Sequence, residues 1–184
     1  MSLKFNVAGT SITSRYATYA VCGLSSPGTL WSWGRNDAGQ LGQGDITYRS
    51  SPVQVGSLTN WNLIASGGGS SIHIIATKTD GTLWSWGYNN YGELGLGDRT
   101  YRSSPVQVGS LTNWNSIACG SDYTLATKTD GTLWSWGFNG YNFYGQLGLG
   151  DRTHRSSPVQ VGSLTNWNSI AGCGDTALAK YNTY

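Results

Sequence analysis

Apolar and polar residues alternate along this chain in short runs separated by breaks rich in Gly, Ser, Thr and Asn, and no stretch carries the longer period of a helix. In the middle of the chain the runs read as four strands: a near Trp61–Ala65, b near Ile72–Lys78, c over Thr82–Gly87 and d over Pro105–Gly109. Thr79-Asp80-Gly81 between b and c is a hairpin signal; Thr129-Asp130-Gly131 repeats it and Ser26-Pro27-Gly28 is a looser version. Within strand c, Trp84 and Trp86 alternate with Leu83 and Ser85, so both indoles fall on one face of a sheet. That face is expected to pack against a neighbouring sheet.

The four-strand pattern recurs. Ser-Ser-Pro-Val-Gln-Val-Gly-Ser-Leu-Thr-Asn-Trp occurs three times, with Pro52, Pro105 and Pro158 setting a period of 53 residues. Gly-Thr-Leu-Trp-Ser-Trp-Gly starts at Gly28, Gly81 and Gly131. A repeat of roughly 40–50 residues built from short strands predicts a β-propeller with one blade per repeat. The expected fold is all-β, a single repeat domain over residues 1–184 with repeats at 5–60, 61–113 and 114–166 and a partial repeat at 167–184. Phe5–Gly9 and Ala17–Cys22 read as worn strands a and b of the first unit. The total is about three and a half four-stranded blades, where a closed propeller needs about 4–8.

Composition narrows the chemistry. Only 11% of residues are charged, and polarity comes from uncharged hydrogen-bonding groups, which is not the signature of a disordered chain. Each of the nine tryptophans can bury roughly 150–250 Å², enough to build a core without metals or disulfides. Cys22, Cys119 and Cys173 are odd in number and lack metal spacing, so they are expected to be buried or half-buried free thiols. The net charge is +2 with Arg and Asp mixed in the same loops, leaving no basic stripe for nucleic acid. No run reaches the length of a membrane span, and the first residues lack the apolar stretch of a signal peptide; a cytoplasmic or virion-associated location is expected.

Gly-Thr-Leu-Trp-Ser-Trp-Gly, then Asn89–Asp98, then Ser-Ser-Pro-Val-Gln-Val, then Ile-Ala-Cys-Gly-Ser-Asp-Tyr-Thr-Leu-Ala resembles the regulator-of-chromosome-condensation repeat from about Phe5 onward. The resemblance implies a propeller, usually of about seven blades. It does not choose among the family's activities, which include nucleotide exchange on a nuclear GTPase, chromatin binding, ubiquitin-ligase modules and β-lactamase inhibition. Where the family often has His before Thr-Leu-Ala, this chain has Tyr123, Asp175 and, in a longer middle loop, His73.

An open arc exposes strand edges at both ends, so a homo-oligomer or a partner protein closing the propeller is expected. Two chains would supply strands for about seven blades, although both ends carry a and b, so the junction would be irregular.

Comparison of the copies indicates where function lies. Strands alternate in direction, so a–b and c–d loops emerge on one rim and b–c and d–a turns on the other. The d–a turn Gly-Ser-Leu-Thr-Asn is identical in all three copies, whereas the c–d and a–b loops differ. Loops on a rigid scaffold are preferred binding positions, and Tyr-, Asn- and Gly-rich loops suit them. The candidate recognition residues are Tyr88, Tyr91, Phe138, Tyr141, Phe143 and Tyr144. Asp45 with Arg49, Asp98 with Arg99 and Arg102, and Asp151 with Arg152 and Arg155 recur in every copy and read as loop braces. His73 and His154 have no second metal ligand, and no nucleophile–base pair is visible. The reading is a non-enzymatic, self-assembling structural or protein-interaction module without a cofactor, of the kind found in phage or viral particles. Its alternatives are a guanine-nucleotide exchange factor or chromatin-binding propeller, and a glycan-binding module.

Overall fold

The computed structural model describes residues 28–69, 72–140 and 144–183, together with the backbone of Phe5–Val7 and Thr10–Ile12. The elements are strands: β1 (Phe5–Val7), β2 (Thr10–Ile12), β3 (Trp31–Gly34), β4 (Arg49–Gln54), β5 (Trp61–Ser66), β6 (His73–Lys78), β7 (Leu83–Gly87), β8 (Arg102–Gln107), β9 (Trp114–Cys119), β10 (Tyr123–Lys128), β11 (Leu133–Gly137), β12 (Arg155–Gln160), β13 (Trp167–Cys173) and β14 (Thr176–Tyr181). Among the described residues no helix is long and apolar enough to cross a membrane. β5 to β8 form one antiparallel four-stranded meander and β9 to β12 another, while β3–β4 and β13–β14 are two-stranded. The fold is thus the all-β, blade-by-blade architecture that the repeat predicts.

Four local expectations are corrected. The first strand a, read as Phe5–Gly9, is the short β1, and it pairs with an unforeseen strand at Thr10–Ile12; Ala17–Cys22 lies outside the described residues. Strand d begins at Arg102 rather than Pro105, because a register shift between Ser85 and Gly87 lets Gly87 pair with Arg102. Pro105 is tolerated there because β8 is the edge strand, where a ladder N–H is dispensable. His73 is no loop residue: it opens β6, fully buried, in the register position that Tyr123 occupies in β10. Of the thiols, Cys119 is half-buried as expected but Cys173 is exposed, and both are free.

Tryptophans hold the blades together. Trp61 packs with Leu30, Val55, Ile72, Ile74, Ala76 and Trp86 in one buried cluster, and Trp114 packs with Ile75, Leu83, Val108, Ala126 and Trp136 in the next. Buried indole N–H groups need acceptors. Trp86 Nε1 donates across the seam to the Gln40 carbonyl at 3.0 Å, and Trp136 Nε1 to the Glu93 carbonyl at 2.8 Å. Each b–c turn is also locked to the following blade: the Gly28, Gly81 and Gly131 carbonyls accept from the backbone N–H of Trp61, Trp114 and Trp167. Gly81 must be glycine, since its φ is +76° and a Cβ there would lie 1.9 Å from the Thr112 carbonyl oxygen.

Backbone contacts fix the two rims. Tyr88 N donates to Ile72 O and Phe138 N to Asp122 O, so each c–d loop leaves beside its own a–b connection. On the opposite rim Thr79 N donates to Asn60 O and Thr129 N to Asn113 O, setting each b–c turn beside a d–a turn. The dissimilar connections therefore share one rim.

Candidate protein-interaction rim

Every c–d loop is built around one asparagine. Asn89 Oδ1 accepts from Leu94 N at 3.0 Å, while Nδ2 donates to the carbonyls of Asp98 and Thr100, each at 3.1 Å. Asn36 and Asn139 make the same three contacts in their own loops. The return arm is braced by Asp45–Arg49 and Asp98–Arg102 at 2.6 Å and Asp151–Arg155 at 2.5 Å. In each case the aspartate is held below the usual carboxylate range, chiefly by the backbone N–H two residues on. The repeated Asp and Arg residues thus brace the loops as expected. Arg99 and Arg152, however, take no part in these pairs: both are exposed, with no carboxylate partner among the described residues.

On this frame the candidate aromatics form two groups. Tyr88 is half-buried and its ring lies 4.9 Å from that of Tyr101; Asn90 donates to the Tyr88 hydroxyl and accepts from the Tyr101 hydroxyl at 3.1 Å. Tyr91 crosses the seam to Phe138 at 4.7 Å and to His154 at 5.1 Å, and Phe138 stacks on His154 at 5.0 Å. Asn139 N donates to His154 Nδ1 at 3.0 Å, so the neutral ring carries its proton on Nε2. Burial, with Arg99 nearby, lowers the His154 pKa and favours that neutral ring. Phe138 is buried and serves as packing, whereas Tyr144 is 63% exposed. Tyr141 and Phe143 lie outside the described residues.

The exposed surface of the rim includes Ile46, Tyr48 and Tyr101, which reasoning from sequence passed over, and Arg99 and Arg152, which it read as braces. Their signal was present. In Asp-x-Thr-x-Arg the framing residues are fixed, and the two x positions change from copy to copy as Ile46/Tyr48, Arg99/Tyr101 and Arg152/His154.

Beneath the rim sits Glu93, fully buried, where the neighbouring copies carry Gln40 and Gln146. Its Oε2 accepts from Tyr91 N at 2.9 Å, while Oε1 has no partner among the described residues. Burial pushes this carboxyl up to about 7, with Asp122 adding to the rise and backbone N–H groups opposing it.

The sequence pattern of the Regulator of chromosome condensation (RCC1) repeat matches residues 27–74, 80–127 and 130–179. The chain belongs to the RCC1 repeat family. Its relatives include the Ultraviolet-B receptor UVR8 of Arabidopsis thaliana, 36% identical over 77% of this chain and 32% of UVR8. The Protein RCC2 homolog of Xenopus laevis is 39% identical over 55% of the chain and 20% of its own length. Among solved structures, Prp20p of Saccharomyces cerevisiae superposes with a TM-score of 0.72 at 23% identity, covering 86% of this chain and 40% of that one. This RCC1-repeat chain therefore spans a third or less of those two curated relatives. These matches overturn the reading as a self-assembling phage or viral particle component. Prp20p is described by its binding to Gsp1p and histones; at 23% identity its likeness to this chain shows the fold.

Proposed function

We propose that this arc of RCC1 repeats is a non-enzymatic docking module that binds a folded protein partner through its individualised rim, in the manner of an exchange-factor or chromatin-associated propeller. One observation carries the reading: an internally braced loop frame repeats three times, and the residues that differ on it include exposed aromatics and two arginines lacking carboxylate partners. Rigid aromatics supply contact area at low entropy cost, and unpaired guanidinium groups suit a partner with an acidic face.

The test is binding of the purified chain to Gsp1p carrying fluorescent GDP, with nucleotide release as readout, and in parallel to histone octamers. The triple variant Arg99→Ala, Tyr101→Ala, Arg152→Ala is expected to lose at least about tenfold in affinity for whichever partner binds, since truncating interface anchors of this kind costs over 1 kcal/mol. Binding to neither partner, or unchanged binding by the variant, refutes the proposal.

A further inference from the structure

The opposite, uniform rim carries a cleft of about 370 Å³ at the seam between the β5–β8 and β9–β12 blades. Leu96, Val108, Leu111, Trp114, Trp134 and Lys128 line it. Lys128 is the unusual member, being only 6% exposed. Its Nζ lies 3.5 Å from the Trp134 ring centroid and 5.0 Å from that of Trp114, yet it makes no hydrogen bond or ion pair among the described residues. Burial lowers its pKa and Asp130 opposes that, but Asp130 makes no ion pair with the ammonium, and its Oδ1 accepts from the Thr132 N–H and hydroxyl. A largely buried ammonium over indole faces, with no hydrogen-bonded carboxylate among the described residues, is a donor site for a carboxylate.

The other seams act as internal controls. At the preceding seam Lys78 sits over Trp84 at 3.4 Å, but Gln43 stands where Leu96 does, with its amide committed to Ser32 Oγ and Val53 O. At the following seam Tyr181 takes the register position of the lysine, opposite Trp167. Among the described residues, leucine and lysine coincide only here.

We propose that this cleft binds an acidic residue flanked by apolar side chains in an extended segment of a partner protein. Lys128 takes the carboxylate, and Leu96, Leu111 and Trp134 take the apolar neighbours. At about 370 Å³ the cleft has room for a short side-chain cluster, beyond what a small free acid fills. Leu111 at its mouth is 47% exposed and gives the segment a path onto the rim. The site is independent of the rim proposed above for docking, and its test uses different probes.

The decisive experiment titrates the ¹⁵N-labelled chain with acetyl-Leu-Glu-Leu-amide and acetyl-Leu-Gln-Leu-amide while following the tryptophan indole signals. The Glu peptide is expected to shift Trp114 and Trp134 and to bind about tenfold tighter than the Gln peptide at low salt. Lys128→Gln abolishes that preference, Lys128→Arg retains most of it, and Lys78→Gln leaves it intact. The preference in the unaltered chain is a test that needs no variant to fold. Equal affinities for the two peptides, a preference surviving in Lys128→Gln, or acetate alone binding as tightly as the Glu peptide overturns the proposal.

Discussion

Replacing Glu93 by glutamine turns the second c–d loop into the pattern of its neighbours, and the effect on stability is expected to depend on pH. The folded carboxyl titrates near 7, against an ordinary value of 4.5, chiefly because burial disfavours its charged form. A carboxyl raised on folding binds protons more tightly in the native state. Its contribution is fully present below the unfolded value, falls between there and the folded value, and is lost above about 7. At about 1.36 kcal/mol for each pH unit, the rise from 4.5 to about 7 caps this loss near 3 kcal/mol. Glu93→Gln carries no such charge, but its amide nitrogen replaces an Oε1 that has no partner, and Gln146 Nε2 is likewise unpartnered in its own copy. The orphaned amide costs about 1 kcal/mol at every pH, so the variant is expected to fall slightly below the parent chain near pH 4.5 and to exceed it by about 2 kcal/mol at pH 8.5. Urea unfolding of both chains across that range measures the difference, in which every other titrating group cancels. A difference that stays flat with pH refutes the reasoning.

Two further stability tests separate geometry from composition. Gly81→Ala combines a φ of +76° with a Cβ 1.9 Å from the Thr112 carbonyl oxygen, and is expected to cost more than about 3 kcal/mol. Gly109→Ala, with a φ of +62° but open space around it, is expected to cost only about 1 kcal/mol; equal losses in urea unfolding would count against the close-approach argument. Asn89→Ala severs three buried backbone contacts and is expected to cost about 2–4 kcal/mol, whereas Arg102→Ala breaks a partly exposed ion pair and costs less than about 1 kcal/mol.

Much of this architecture was legible because the repeat supplies its own comparison. The Trp-Ser-Trp triplets announced the packing faces, and Asp80-Gly81 announced a hairpin whose glycine proves sterically obligatory. The start of strand d was not legible, since the shift between Ser85 and Gly87 depends on pairing with β8 and leaves no mark in local alternation. His73 fell both inside the run read as strand b and at the end of a lengthened loop; its pairing with Gly87 places it in β6, where its ring meets Thr124 Oγ1 at 3.1 Å across the seam. On the rim, aromatic content drew attention to Phe138, but an aromatic that stacks on Tyr91 and His154 is spent on holding two loops together. The exposed residues include Ile46, Tyr48, Arg99, Tyr101 and Arg152, interleaved with the Asp-Thr-Arg brace, whereas His154 at an equivalent position turns in onto Phe138 and Tyr91.

The division of labour between the rims follows from where the blades are fastened. Each b–c turn accepts a hydrogen bond from the first strand of the next blade, and its glycine lies against the following d–a turn. A substitution in either turn disturbs two blades at once, which accounts for the identical d–a turns and for the glycine kept in every b–c turn. The c–d loops are closed internally by one asparagine and one Asp–Arg pair, and they meet the next blade at fixed backbone points such as Gly44 N to Ser103 O and Gly97 N to Ser156 O. Exposed residues on those loops, such as Arg99 and Tyr101, can change without moving a neighbour, and recognition can be written there at little cost in stability. The exception is Leu96, where the return arm of a c–d loop reaches the seam cleft. There a single change from Gln43 exchanges a side chain bonded to its own blade for an apolar wall beside Lys128. Diversity confined to a self-braced loop can thus still alter the otherwise uniform rim.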